Sequence, residues 1–418
     1  MLIHMVTKVS QSAQKVCIAV ASGCPRSFLN TGVLFKYFEA NGWSITSDFR
    51  QADLVLFAGC GVDETAEIKS FNLLRAAKRR TRPGAKYVIY GCLAGMFSET
   101  LESQYNAQTI TVDSITKLDS IINAKISISE ISGPNDIDEP LQKAWKCFSR
   151  FQRLRARQWI SPPPWRWPRR SYKKLVEKFL KEAPTSGVRT FNIQIGTGCL
   201  SQCTYCGIRF AIGTLRSKHL EDIVCEFEKG LAAGYEWFRL VCGDVGAYGQ
   251  DINSNLVELL KALLNQPGTF HLDLVDVNPR WLLPYKYEFV ELLSHNTERI
   301  PLLTVPVQSG SDRILRLMRR EHCASDVIDF LRLLKDRCPK INLSTQIIVG
   351  FSGETEDDFS DTIDLIRSVN FDRVQVFRYA DRPKTEAALM PGKIPIQVKL
   401  TRLARLKAEF PDICEFIM

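Results

Sequence analysis

The sequence predicts an α/β protein made of two parallel units, a Rossmann-like N-terminal domain and a partial (β/α)6 barrel. Three observations predict it. Short apolar runs alternate with segments of helical period along most of the chain, the order expected when crossover helices join parallel strands. The runs fall into two series, parted by a polar, acidic stretch and a run of prolines. In both series cysteines or glycines stand just past the strand ends, the edge on which parallel sheets bind ligands. The expected units are 1–125, a linker at 126–187 carrying a basic aromatic helix, and a barrel with a C-terminal helix at 188–418.

In the first series, residues 16–21 form a buried strand that runs into Ser22-Gly23-Cys24. Phe28, Leu29, Val33, Leu34 and Tyr37 then share one helical face. A second strand, residues 53–58, ends at Gly59-Cys60, and a basic helix follows over about 63–80. The third strand, 86–90, ends at Gly91-Cys92, and residues 109–112 and 115–122 close the unit as a strand and a helix. Cys24, Cys60 and Cys92 therefore each follow a strand and a glycine, and would meet on one sheet edge. That arrangement fits three thiolates on one iron–sulfur cluster with an open iron. Three unrelated buried thiols are the plainer alternative.

The linker begins as the polar stretch 127–140. Over 145–159, Trp145, Phe148, Phe151 and Leu154 recur every third residue among Arg150, Arg153, Arg155 and Arg157, which predicts an amphipathic basic helix stopped by Pro162-Pro163-Pro164. Trp165, Trp167 and more basic residues follow. Nucleic-acid binding needs charge for phosphate and rings for bases. A peptide surface, or aromatics packed between domains, would use the same residues.

The second series has strands at 190–195, 237–242, 271–275, 302–306, 342–349 and 373–377, with helices at 220–232, 252–264, 356–368 and 397–410. Six such units give a partial barrel with right-handed crossovers. After its first strand comes Gly198-Cys199-Leu200-Ser201-Gln202-Cys203-Thr204-Tyr205-Cys206, three cysteines spaced C-x3-C-x2-C on one loop. Four-iron clusters are ordinarily held by four cysteines, so a compact triplet leaves one iron open to a ligand. Cys242-Gly243-Asp244, Gln308-Ser309, and Gly350 with Gly353-Glu354 follow later strands, where glycine allows close backbone approach. Asp273, Asp276 and Asn278 read as polar strand-end residues, and Arg378 and Arg382 as ion-pair or substrate groups. Cys17, Cys147, Cys225, Cys323, Cys338 and Cys414 lack ligand spacing, and the five histidines are scattered.

Composition sets the bounds. A length of 418 residues fits two or three domains, and 45% hydrophobic residues supply a sizeable core. No apolar run reaches the roughly 18 residues of a helical membrane span. The short run 16–21 is too brief for the core of a secretory signal, so a reduced, cytoplasmic setting is expected. There, 13 cysteines point to metal or redox chemistry before disulfides. A net charge of +9 allows a polyanionic partner without demanding one.

With Tyr205 before its last cysteine, the triplet resembles the radical S-adenosylmethionine (SAM) superfamily. Its surroundings resemble the methylthiotransferases within that superfamily: Ile193-Gln194, Arg209, residues 213–217, Pro306-Val307-Gln308-Ser309-Gly310-Ser311, residues 348–356 and Phe377-Arg378-Tyr379, a likeness running from about 16 to 410. The resemblance implies a radical SAM barrel and two [4Fe–4S] clusters. One, on Cys199, Cys203 and Cys206, would bind SAM and split it to a radical. The other, on Cys24, Cys60 and Cys92, would carry sulfur. It further implies SAM contacts at Asp244, Gln308, Ser309, Gly350, Gly353 and Glu354; no side chain is assigned a catalytic role. Two SAM per turnover would convert an unactivated C–H to C–S–CH3, with an electron donor such as flavodoxin or ferredoxin and a sulfur source as partners. Pro25-Arg26-Ser27 stands where the family has Gln-Met-Asn, and Met418 leaves no room for the family's terminal RNA-contacting β-barrel. The expected substrate is therefore a peptide or protein side chain or a natural-product precursor, with a modified tRNA adenosine as the alternative. Radical chemistry without sulfur transfer is a second alternative, and a non-catalytic iron–sulfur protein a third.

Overall fold

The computed structural model describes residues 14–21, 24–133, 135 and 189–417. The basic aromatic helix expected at 145–159 and the residues after it lie outside that set. The strands are β1 (Lys15–Val20), β2 (Ser44–Ile45), β3 (Leu54–Ala58), β4 (Lys86–Tyr90), β5 (Gln108–Ile110), β6 (Thr190–Gln194), β7 (Gly196–Thr197), β8 (Arg216–Ser217), β9 (Trp237–Val241), β10 (His271–Asp273), β11 (Leu302–Thr304), β12 (Asn342–Val349), β13 (Arg373–Arg378) and β14 (Cys414–Ile417).

The first sheet has the order β2-β1-β3-β4-β5 and is parallel throughout. Its strands read as near-continuous apolar runs because both faces are covered. Alternation still sorts the side chains. Val16, Ile18, Leu54, Leu56 and Val88 belong to one core, under helix α1 (Pro25–Ala40). Cys17, Val55, Phe57, Tyr87 and Ile89 belong to the other, under α2 (Glu64–Lys78) and α3 (Cys92–Tyr105). Each fully buried aliphatic side chain contributes on the order of 2 kcal/mol. Local signals set the helix starts. Pro25 opens α1, and the Asp63 side chain accepts the Ala66 N–H at 2.7 Å to cap α2. Gly91, at φ 94°, turns the chain from β4 into α3.

The second unit contains sheets β10-β9-β6 and β11-β12-β13-β14, and a parallel bridge between Leu274 and Leu303 joins them. Six strands, β6, β9, β10, β11, β12 and β13, thus succeed one another in chain order, as the sequence predicts. β14 extends the sheet beyond β13 in parallel register, Val374 opposite Cys414. The sequence reading assigns no strand there, nor at β2, β7 and β8, which are two residues each and too short to show a period.

The units dock with the strand ends of the first sheet over the barrel mouth. Val241 packs into the core under α1. The Asp113 N–H donates to the Ala211 carbonyl at 3.1 Å, and Arg216 pairs with Asp113 at 2.6 Å. Arg378 and Arg382 pair with Glu64 and Glu67 of α2, and Lys384 Nζ reaches the Gly95 carbonyl at 3.1 Å. Among the described residues no helix is long and apolar enough to cross a membrane.

Candidate active site between two groups of cysteines

The triplet loop is fixed by its backbone. Gly198 has φ 81° and packs on the Thr214 backbone so closely that a Cβ there would strike it. The Cys199 N–H donates to the Gly213 carbonyl at 3.1 Å, and the Thr204 N–H to the Met318 carbonyl at 3.1 Å. The three thiols are tended by donors. Cys199 Sγ accepts the Ser201 N–H at 3.3 Å, and Cys203 Sγ faces Arg320 Nη1 at 3.8 Å. Cys206 Sγ is stabilised by the N–H groups of Arg209 and Ile208. All three line one cavity of about 490 Å³.

Cys24 lines the same cavity, at the N-cap of α1. Cys60 follows β3 and is tied by its N–H to Ser70 Oγ at 3.0 Å, while that hydroxyl donates to the Cys60 carbonyl at 2.7 Å. Cys92 is the first residue of α3 and lies in the electrostatic field of Cys60, Cys24 and Cys206. Cys24 and the triplet thus line one cavity, and Cys60, Cys24 and Cys206 lie within electrostatic reach of Cys92. Burial pushes the thiols of Cys92 and Cys199 up to about 12. Thiols so placed become thiolates only beside a strong positive centre, which is what a metal supplies. Among the described residues no three donors converge as they would on a single ion. A four-iron cluster takes its ligands on separate metal corners.

The other sequence-predicted residues divide. Asp244 is buried on the cavity wall, and its carboxylate accepts from Trp281 Nε1 at 3.0 Å, from the Gly246 N–H at 3.1 Å and from the Asn278 N–H at 3.3 Å. Burial raises its carboxyl against the lowering pull of Arg320 and these bonds. Gln308 lines the cavity at φ 78°, and its buried Oε1 has no hydrogen-bond partner. Ser309 faces away, with its hydroxyl 3.3 Å from Thr362 Oγ1. Gly350, Gly353 and Glu354 are not among the residues that line this cavity. The Glu354 carboxylate instead accepts the Gly350 N–H at 2.7 Å and Arg402 Nη1 at 2.6 Å, so it holds a turn. Asp273 is paired with Arg239 at 2.7 Å. Arg26, Arg320 and Trp281 are wall or support residues the sequence reading did not single out for the site; Arg320 stands 117 positions from Cys203, and no local spacing signals it.

Residues 193–366 match the model of the radical SAM superfamily, and residues 15–113 that of the uncharacterized protein family UPF0004. The threonylcarbamoyladenosine tRNA methylthiotransferase MtaB of Thermotoga maritima is 30% identical over 94% of this chain and 81% of its own. The chain belongs to the radical SAM methylthiotransferase family. Other members it resembles are the tRNA-2-methylthio-N(6)-dimethylallyladenosine synthase of Carboxydothermus hydrogenoformans, 28% identical over 94% of this chain and 83% of its own, and the ribosomal protein uS12 methylthiotransferase RimO of Acetivibrio thermocellus, 26% identical over 92% and 79%. Among solved structures, the radical SAM methyltransferase TsrM from Kitasatospora setae superposes with a TM-score of 0.60 at 13% identity, covering 90% of this chain and 77% of that one, a likeness of fold. This methylthiotransferase is accordingly a transferase whose family uses an iron–sulfur cluster and SAM.

Proposed function

We infer that this methylthiotransferase holds two four-iron clusters, one on Cys199, Cys203 and Cys206 and one on Cys24, Cys60 and Cys92, and that it replaces a C–H by C–S–CH3 on a modified adenosine of tRNA. The observation that carries this reading is the shared cavity. Cys24 and the triplet line it together, and Cys92 lies in the field of Cys206 as well as of Cys24 and Cys60. Cys199, Cys203 and Cys206 would hold a cluster whose open iron, when bound, would supply the electron for SAM cleavage, and Cys24, Cys60 and Cys92 one that would present sulfur. The chain's own residues do the positioning. Asp244, held by Trp281, Gly246 and Asn278, offers a fixed carboxylate to a cationic ligand group. Gln308 offers an unengaged carbonyl oxygen in the same cavity, and Arg320 backs Cys203.

The tRNA substrate is favoured by the relatives named for threonylcarbamoyladenosine, at 28–31% identity. A protein side chain, which the sequence alone favours, becomes the second reading, supported by the uS12-modifying relatives at 26–27%. A cytoplasmic setting, a flavodoxin- or ferredoxin-like electron donor and a sulfur source belong to the same proposal. Anaerobic turnover with SAM, reductant and tRNA tests it. The expected product is a tRNA nucleoside heavier by CH2S, with 5′-deoxyadenosine released. Modification of a ribosomal protein alone would overturn it in favour of the second reading.

A further inference from the structure

Six arginines line the cavity between the two cysteine groups. Five have partners in the chain. Arg239 pairs with Asp273 at 2.7 Å, Arg378 with Glu64 at 2.5 Å, Arg209 with Glu386 at 3.6 Å, and Arg382 with Glu67. Arg320 donates to the Pro306 carbonyl at 2.5 Å and faces Cys203 Sγ at 3.8 Å. The sixth is Arg26, in the first turn of α1. Its guanidinium makes no ion pair or hydrogen bond with any described residue. Cys24 and Cys92 face it from the first unit, Asp276 and Cys242 from the strand ends of the barrel. The Asp276 carboxylate is engaged by Gln346 Nε2 at 3.2 Å and lies beyond ion-pair distance of Arg26.

Arg26 is half-buried on the cavity wall, and a guanidinium there, with five donors and no partner in the described chain, is free to answer an anionic ligand. The uncapped first turn of α1 adds a field of the same sign. Both features call for an anion. The flanking thiolates supply counter-charge but only single atoms. A planar fork is matched by a pair of coplanar oxygens, and a carboxylate provides them.

We propose that Arg26 is a specificity residue of this enzyme and pairs with a carboxylate carried on the modified base. The assignment rests on the tRNA reading above and narrows it. A threonylcarbamoyl group on adenosine ends in a carboxylate, whereas a dimethylallyl group is a hydrocarbon, so Arg26 selects the first and gains nothing from the second.

The test is binding without turnover, on full-length, anaerobically reconstituted enzyme. The probes are tRNA anticodon stem-loops carrying threonylcarbamoyladenosine, its carboxylate methyl ester, dimethylallyladenosine or plain adenosine. Wild type is expected to bind the free carboxylate about tenfold more tightly than the ester or plain adenosine. Arg26→Met at unchanged iron content is expected to erase that preference, Arg26→Lys to restore part of it, and binding of the dimethylallyl probe to stay within about twofold. Equal wild-type affinity for the acid and the ester would overturn the role of Arg26, and that comparison needs no variant to fold. An unchanged preference in Arg26→Met would overturn it as well. Failure to retain any stem-loop, with a ribosomal-protein peptide bound instead, would remove the tRNA reading and the assignment with it.

Discussion

Gly198 shows how one residue can set the metal loop. Its φ of 81° and its contact with the Thr214 backbone leave no room for a Cβ, and the next residue is Cys199. Gly198→Ala must displace the loop, so the variant should lose the iron held by the triplet, about half of the wild-type total, as read by iron analysis. Asp244 allows a subtler change. Asp244→Asn keeps the size and removes the charge of a carboxylate bound by Trp281 and Asn278. SAM affinity is then expected to fall about tenfold at unchanged iron content, measured by calorimetry. At this scale the sequence was legible where chemistry is carried by spacing, as in Cys199, Cys203 and Cys206. It was illegible where a wall is assembled from distant strands, as with Arg320 against Cys203. The contacts of Glu354 with Gly350 and Arg402 were illegible too, because glycine-rich wording marks a turn without saying what its carboxylate faces.

Among the elements, α3 fixes the seam between the units. A Cβ on Gly95 would come within 2.9 Å of the Ala211 backbone, so Gly95→Ala must push α3 away from residues 209–212. A cost of about 1–3 kcal/mol is expected in denaturant unfolding, along with weaker iron retention, because Cys92 begins the same helix. The helix Glu356–Ser368 makes a pH prediction. Asp358 completes its capping box with Thr355 and pairs with Arg313 and Ser311. Burial alone would raise its carboxyl, but these partners outweigh that and hold it well below the carboxylate range. A carboxyl lowered by folding supplies stability present above its unfolded pKa, about 4, and lost as pH falls toward the folded value. Asp358→Asn should therefore cost about 1–2 kcal/mol in urea unfolding of the apoprotein at pH 7, and progressively less below pH 4. The six barrel strands and four of the five strands of the first sheet were readable because each is an apolar run set between segments of helical period. β14 was not, because four residues beyond a basic helix carry no decisive period.

At the scale of the molecule, two parallel sheets turn their strand ends toward each other across pairs such as Arg378 with Glu64 and Arg216 with Asp113. Each pair is worth little alone. Their value is in register, since they tie the two units together around the cavity that Cys24 and the triplet line. The repeated strand-glycine-cysteine wording predicted that Cys24, Cys60 and Cys92 would share an edge; the two cysteine groups were expected to face each other across a domain boundary, but the residue pairs that dock the domains were not legible, because no local pattern encodes them. The most direct measurement is iron and acid-labile sulfide analysis of anaerobically reconstituted protein, comparing wild type with one variant in which Cys24, Cys60 and Cys92 are alanine and another in which Cys199, Cys203 and Cys206 are. The account predicts about eight irons in the wild type and about four in each variant. About four in the wild type, or no loss from the first variant, would contradict it.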